Sequence, residues 1–379
     1  MAVRFPRSEV ETVVSHLVTQ IGRRPATSRQ EATAAAYING RLRSAGLRVN
    51  TDRITSASRR GAILSLLALL GTIAALLSAW MPLISLFGAL GVLGLLLFDA
   101  LIVPLPVIAP RHESQNIIGT RAVQGSGGLL PHAPRWRVVL LAPLDSPFAE
   151  PGLRGLAGSS RGAVVARILA LGLIAGLALW LWLAIDSGNW WYVQLAPASY
   201  LLLTAFIGLI APAHTPNDGG AGALAVLFET AQQLQSLNSV ELWVVALGAS
   251  STDNSGLLSL IARYPFPREQ TLLIVLASID SGQLVYVTRE GALRARPADQ
   301  LLLRLAAEAD AADPAIDAEP RPLLREGTLA APLHTAGYRT ITLLTHSEPS
   351  ADTLAPQAVE RTARLVIGII QLLEKPELR

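Results

Sequence analysis

Hydrophobic positions along the chain fall into two kinds of stretch. In the first kind, charge disappears altogether. Gly61 to Phe98 holds no charged side chain, nor do Ile168 to Ile185 and Ser187 to Ala213. Roughly 20 apolar residues cross a hydrocarbon core about 30 Å thick. The first window breaks at Met81-Pro82, and the other two are separated by Asp186-Ser187-Gly188-Asn189. Each pair predicts helix, tight turn, helix, giving four membrane spans in two hairpins. Trp80 stands at the first turn, and Trp180, Trp182, Trp190, Trp191 and Tyr192 surround the second. Amphipathic rings favour the headgroup level, so the turns share one aromatic belt.

In the second kind, apolar residues follow helix or strand periods. Ser8 to Ile21 has helical spacing, as does Ser28 to Ala45, with Ser28 as N-cap and Gly46 as its stop. Leu47 to Ile54 alternates like a strand, and Asn116 to Thr120 is short and extended. Trp136 to Ala142, Val240 to Leu247, Gln270 to Ile279 and Thr340 to Leu344 are apolar strand runs. Helices are expected over Gly222 to Leu237, Gly256 to Arg263, Leu301 to Ala309 and Gln357 to Leu373. This alternation predicts an α/β fold, a mostly parallel mixed sheet flanked by helices. Parts 1–60, 110–160 and 214–379 then form one domain, interrupted by hairpins at 61–109 and 161–213.

Composition supports the membrane reading. Hydrophobic residues make up 51% of the 379 residues and charged residues only 16%, against about a quarter in soluble domains. Arg53, Arg59, Arg60, Arg111, Arg121, Arg154, Arg161 and Arg167 flank or open the apolar windows, while the two turns carry no Lys or Arg. That bias puts the domain on the cytoplasmic face. A net charge of +3 fits a basic collar over anionic lipid. No basic stripe interleaved with aromatics points to nucleic acid. The N-terminus lacks the apolar region of a signal peptide. The absence of cysteine excludes disulfide and thiolate chemistry. Asp99 and Arg167, the ionisable residues that are candidates for an intramembrane pathway, lie near the basic ends of their spans, which argues for anchoring over transport.

In parallel α/β sheets ligands bind beyond the carboxyl ends of the strands. At those ends stand Pro143-Leu144-Asp145-Ser146, Gly248-Ala249-Ser250-Ser251, Asp280 and Thr345-His346-Ser347-Glu348, with Pro216-Asn217-Asp218-Gly219-Gly220 before a helix. Read locally, Asp218 is a helix N-cap and Asp280 a turn residue. His346 reads as a polar loop residue and His334 as structural. His214 is a remote substitute ligand, and Asp253 and Ser255 are turn residues. Ser250 and Ser251 have no G-x-S-x-G elbow to support a serine hydrolase.

The order of these segments resembles the M28 family of zinc aminopeptidases. The similarity runs through IGRRPATSRQEATAAAYINGRLRSAGLRV, NIIGT, RVVLLAPLDS, TPNDGGAGALAVLFETAQQL, WVVALGASS, VLASIDSG, and AAPLHTAGYRTITLL with SEPSADT. It implies two zinc ions held by two His, two Asp and a Glu, with a second Glu as general base. Carried over, the first ligand His falls on Pro143, and Asp145 would have oriented it. The bridging Asp falls on Asp218 and the next ligand Asp on Asp280. The Glu-Glu pair falls on Ser250 and Ser251, and the last His on Glu348, with His346 two residues earlier.

Two dependable carboxylates neither fix two metals nor supply a base. The expectation is a membrane-anchored M28-like protein without catalysis, holding a peptide, lipid or protein ligand. The alternative is a membrane zinc aminopeptidase whose rebuilt site binds one zinc through Asp218, Asp280 and His346.

Overall fold

The computed structural model describes residues 7–57, 61–101, 110–123, 133–146, 156–157, 160–183, 192–210, 219–291, 293–324, 328–346 and 356–375. The chain opens with α1 (Arg7–Ser15), a π-helical turn (His16–Ile21) and α2 (Arg29–Ser44). Ser28 caps α2, its Oγ accepting from Glu31 N. β1 (Arg48–Ala57) leads into α3 (Gly61–Leu77) and α4 (Pro82–Leu101), and β2 (Arg111–Arg121) and β3 (Trp136–Pro143) follow. After α5 (Arg161–Leu183) and α6 (Leu195–Leu209) come α7 (Gly219–Gln233), β4 (Val240–Leu247), α8 (Ser255–Arg263) and β5 (Thr271–Leu276). The rest is β6 (Gln283–Glu290), β7 (Arg296–Pro297), α9 (Gln300–Ala312), β8 (Ala318–Leu323), α10 (Ala330–Thr335), β9 (Arg339–His346) and α11 (Pro356–Glu374).

One sheet joins these strands in the order β1-β2-β4-β3-β5-β9-β6-β7, with β8 paired to β6. The centre, β4-β3-β5-β9, is parallel, while β1 and β2 pair antiparallel at one side and β6 runs antiparallel to β9 at the other. The sheet is mixed, with parallel pairing in its middle and again between β6 and β8 at the edge. The expected strand Gln270–Ile279 is shorter, because the chain leaves the ladder after Leu276. β1 and β2 are longer than their apolar cores and stay in register from Arg48↔Thr120 to Ala57↔Arg111.

Alternation in β3 divides the core. Val138, Leu140 and Ala142 face a layer built from α1, α2, α7, α9 and α11. Val139 and Leu141 face α8 and α10. Burial on both sides explains why these strands read as continuous apolar runs.

The four apolar helices form a separate bundle in which α3 meets α4 and α6, and α5 meets α4 and α6. Among the described residues three segments are long and apolar enough to cross a membrane: Pro82–Asp99, Arg161–Leu183 and Tyr192–Leu209. The fourth, Ile63–Leu77, is apolar but shorter, about 22 Å at 1.5 Å per residue. Small residues line the bundle's inside, among them Ala68, Ala75, Ala89, Ala175 and Ala205. Leu69, Ile73, Phe87, Leu173, Trp180 and Phe206 point outward. Arg167 is buried near the base of α5 and donates from Nε to the Ala163 carbonyl at 3.1 Å.

Candidate functional site

Because β4, β3, β5 and β9 are parallel neighbours, their carboxyl ends share one rim of the sheet. Ser250 and Ser251 follow β4, Pro143 ends β3 with Asp145 just beyond, Asp280 follows β5, and His346 ends β9. Asp218 and Glu348 lie outside the described residues, as does His214.

Beyond β4 the backbone turns so that four successive N–H groups point at buried side chains. Gly248 N donates to Asn116 Oδ1 at 3.0 Å and Ala249 N to Glu31 Oε1 at 2.8 Å. Ser250 N and Ser251 N donate to Asp145 Oδ1 and Oδ2 at 2.9 and 2.8 Å. Both serine hydroxyls add a bond each, Ser250 Oγ to Oδ1 at 2.5 Å and Ser251 Oγ to Oδ2. Successive backbone N–H groups form a nest for anions, and here the protein fills it with its own carboxylates. Asp145 is wholly buried and takes two donors on each oxygen.

Ala249 holds the left-handed conformation at φ 48° and is fully buried, a geometry that costs a non-glycine residue about 1–2 kcal/mol. The carboxylate bonds on either side hold it there. Gly256, at the start of α8, packs so tightly that a side chain would strike the Gly248 carbonyl oxygen and Asn116 Oδ1. Asn116 completes the lock by donating to the Gly256 carbonyl at 2.8 Å.

Glu31 is the residue here that sequence reasoning missed. Ser28-Arg-Gln-Glu31 is a capping-box pattern, and the Ser28 half behaves locally. The Glu31 carboxylate, however, accepts from Thr27 N at 2.6 Å, Ser114 Oγ at 3.0 Å and Ala249 N at 2.8 Å. Burial, and next the neighbouring Asp145 carboxylate, push its pKa up to about 7. Arg24, also wholly buried, ties the same region together: its Nε donates to the Leu144 carbonyl at 3.0 Å and its N–H to Ser146 Oγ at 3.0 Å.

Asp280 is engaged with the end of β9. Its N–H donates to Thr345 Oγ1 at 2.9 Å, and its Oδ1 accepts from Thr345 Oγ1 at 2.6 Å and Ser281 N at 2.7 Å. His346 is exposed beside Gln283. His334 lies elsewhere, 3.7 Å from Glu290 on β6. Zinc needs charged or imidazole donors converging on one point. Among the described residues no three His, Cys, Asp or Glu side chains converge in that way. Pro143 offers no side-chain donor, and the oxygens of Asp145 are already occupied. The described residues therefore do not fit a two-zinc centre.

A cleft of about 360 Å³ lies beside the turn after β4, between the end of β1, the start of β2 and α8. Arg53, Ile54, Thr55, Glu113, Ser255 and Ser259 line it.

No family model matches the sequence, and no curated protein does. Solved structures match in fold. A zinc aminopeptidase from Bacillus subtilis superposes with TM-score 0.57 at 12% identity, covering 100% of this chain and 98% of that one. An aminopeptidase from Aneurinibacillus sp. strain AM-1 gives TM-score 0.56 at 12% identity over 98% and 94%. A glutaminyl cyclase from Bacteroides thetaiotaomicron gives 0.52 at 13% identity over 98% and 99%. The chain thus has the mixed α/β fold of zinc exopeptidases.

Proposed function

We propose that this chain is a membrane-anchored docking protein built on the zinc-aminopeptidase fold and without peptidase activity. The observation that carries the reading is the saturation of Asp145. Where the family resemblance puts a metal ligand and a general base, Ser250 and Ser251 instead donate to that carboxylate through both backbone and hydroxyl. A neutral hydroxyl bound to a buried carboxylate neither neutralises a dication nor takes a proton from bound water at pH 7. The rim between β4 and β9 is then a surface for a peptide, lipid or protein ligand.

The test is metal content of the detergent-purified protein after zinc loading and buffer exchange, with aminopeptidase assays alongside. The expected result is no retained zinc and no chelator-sensitive hydrolysis. Stoichiometric zinc lost on Asp218→Ala or Asp280→Ala overturns the reading. It favours instead a one-metal peptidase, for which the surviving Asp280 carboxylate beside β9 is the supporting observation.

The anchor, in this reading, is all four apolar helices, with the sheet domain in the cytoplasm. Its support is the outward-facing leucines and aromatics of the bundle and the arginines at its base. The chain contains no cysteine, so single cysteines report topology without background. Cysteines replacing Ser187 and Thr55 should label from opposite sides of intact cells or vesicles. Labelling from the same side removes the hairpin assignment.

A further inference from the structure

The two edges of the sheet are treated differently. Edge strands offer unpaired N–H and C=O groups to any passing strand, and proteins usually blunt them. β8, the edge beyond β6, is blunted. It reads Ala-Glu-Pro-Arg-Pro-Leu, and its two prolines cannot donate to a further strand. Glu319 and Arg321 also pair along it at 2.6 Å. β1, the opposite edge, has ten residues and no proline.

Pairing fixes which β1 groups are open. Thr51 N donates to its neighbour Asn50 Oδ1 at 2.9 Å, so it does not serve the ladder with β2. In an antiparallel pair, residues alternate between bonding the partner strand and facing away. Thr51, Arg53 and Thr55 therefore turn both N–H and C=O outward, while Asp52 and Ile54 bond β2. The Asn50 side chain occupies the Thr51 donor. Among the described residues nothing occupies the outward groups of Arg53 and Thr55, and these two residues line the cleft of about 360 Å³.

We infer that the outer edge of β1 at Arg53–Thr55 is a docking site for an extended segment of another polypeptide, which joins the sheet as an added strand. Charge narrows the chemistry of that segment. Arg53 and Glu113 are both exposed and make no ion pair among the described residues. Glu113 lies directly across from the small Thr55. An acidic residue opposite Arg53 meets the guanidinium. A lysine or arginine opposite Thr55 passes over the threonine to reach Glu113. The occupant thus carries an acidic and a basic side chain two residues apart, on the same face of its strand. Ser255 and Ser259 of α8 offer hydroxyls to side chains entering the cleft. The site adjoins the β4 end of the rim, where Ile54 packs with Ala249 and Ser56 Oγ donates to Asp253 Oδ1 at 2.8 Å, but it uses none of the candidate metal ligands, so it holds whether or not the rim binds metal.

The experiment uses the full chain in lipid nanodiscs and a fluorescent ten-residue peptide of alternating threonine and valine, bearing glutamate and lysine two apart. Anisotropy reads binding, and hydrogen exchange reads the Arg53 and Thr55 amides. The expected result is rapid exchange of both amides in the free protein, saturable binding, and protection of those amides in the complex. Arg53→Glu weakens binding about tenfold by turning attraction into repulsion, and Thr55→Pro removes it while the melting curve confirms folding. N-methylation of alternate peptide amides also abolishes binding. Amides already protected in the free protein overturn the proposal. So does the absence of saturable binding, or equal binding to the wild type and Arg53→Glu.

Discussion

The sheet domain and the helical bundle both bury side chains, but they bury opposite ones. At the centre of the sheet the hidden residues are large: Leu140, Val245, Ile274 and Leu343 are fully enclosed. In the bundle the hidden residues are mostly small, such as Ala68, Ala75, Ala89 and Ala178, while Leu69, Leu76, Phe87 and Phe206 stand outside. In water the second arrangement would expose apolar area at about 25 cal/mol per Å². Against lipid tails it carries no such cost, and helix association rests on close packing of small residues. Gly71 shows this closeness, since a side chain there would meet Leu171 and Leu201. On the proposed membrane reading, the same amino acids sort by size in opposite directions because the two regions face different solvents.

Paired truncations break that contrast most directly. Ile274→Ala in β5 should destabilise the sheet domain by about 2–5 kcal/mol, through lost transfer energy and a residual cavity. Phe206→Ala removes a larger side chain, but one 62% exposed on the bundle's outer face. Its cost in a bilayer should stay below about 1 kcal/mol. Denaturant unfolding in nanodiscs, followed by near-ultraviolet signals, measures both. Equal costs would mean that the bundle's outer face is packed against protein.

Both regions were largely legible in the sequence, for different reasons. Charge-free windows and apolar strand runs are strong local signals, so the apolar helices and the strand ends carrying Pro143, Ser250, Ser251, Asp280 and His346 could be located. What escaped depends on long-range geometry. β8 was unreadable because two prolines and two charges in six residues defeat any strand pattern. The polar start of β2, Arg111-His-Glu-Ser114, has no alternation and is ordered by pairing with β1. Glu31 has a local motif, yet its carboxylate serves Ser114 and Ala249, which are 83 and 218 residues away. The length of α3 also departed from the even pattern of four spans, since its hydropathy is clear while its helix is short.

Within the sheet domain, the cradle at 248–251 is the polar counterpart of the packed core. Asp145→Asn keeps one oxygen but turns an amide NH₂ toward the donors of its partner residue. Two N–H groups and two hydroxyls now share half the acceptors. A buried donor left without its acceptor costs about 1–3 kcal/mol, so a loss of about 3 kcal/mol is expected. The same variant made with Ser251→Ala should lose less than the sum, because the second change removes one stranded donor. A double-mutant cycle by denaturant unfolding reads the difference. Strict additivity would mean that Asp145 and Ser251 are not coupled.

Glu31 gives an effect of a different kind, one that depends on pH. Its pKa rises from 4.5 to about 7 on folding, through burial first and Asp145 second. The folded state therefore binds the proton more tightly than the unfolded chain. The resulting stabilisation is full below about pH 4.5 and disappears as pH rises through 7. The span of 4.5 to about 7 corresponds to at most about 3 kcal/mol between acidic and alkaline conditions. Glu31→Gln removes the titration, so the variant's stability should change less than the wild type's between pH 5 and pH 8. The amide retains an acceptor for Ala249 N and Ser114 Oγ, but turns NH₂ toward Thr27 N, which costs about 1 kcal/mol at every pH. Asp145→Asn should move the wild-type transition to lower pH, because the like charge that helps raise the Glu31 pKa is gone. Thermal unfolding at closely spaced pH values separates the two. An unchanged pH profile in Glu31→Gln would assign the titration to another group and leave the cradle without a proton-linked member.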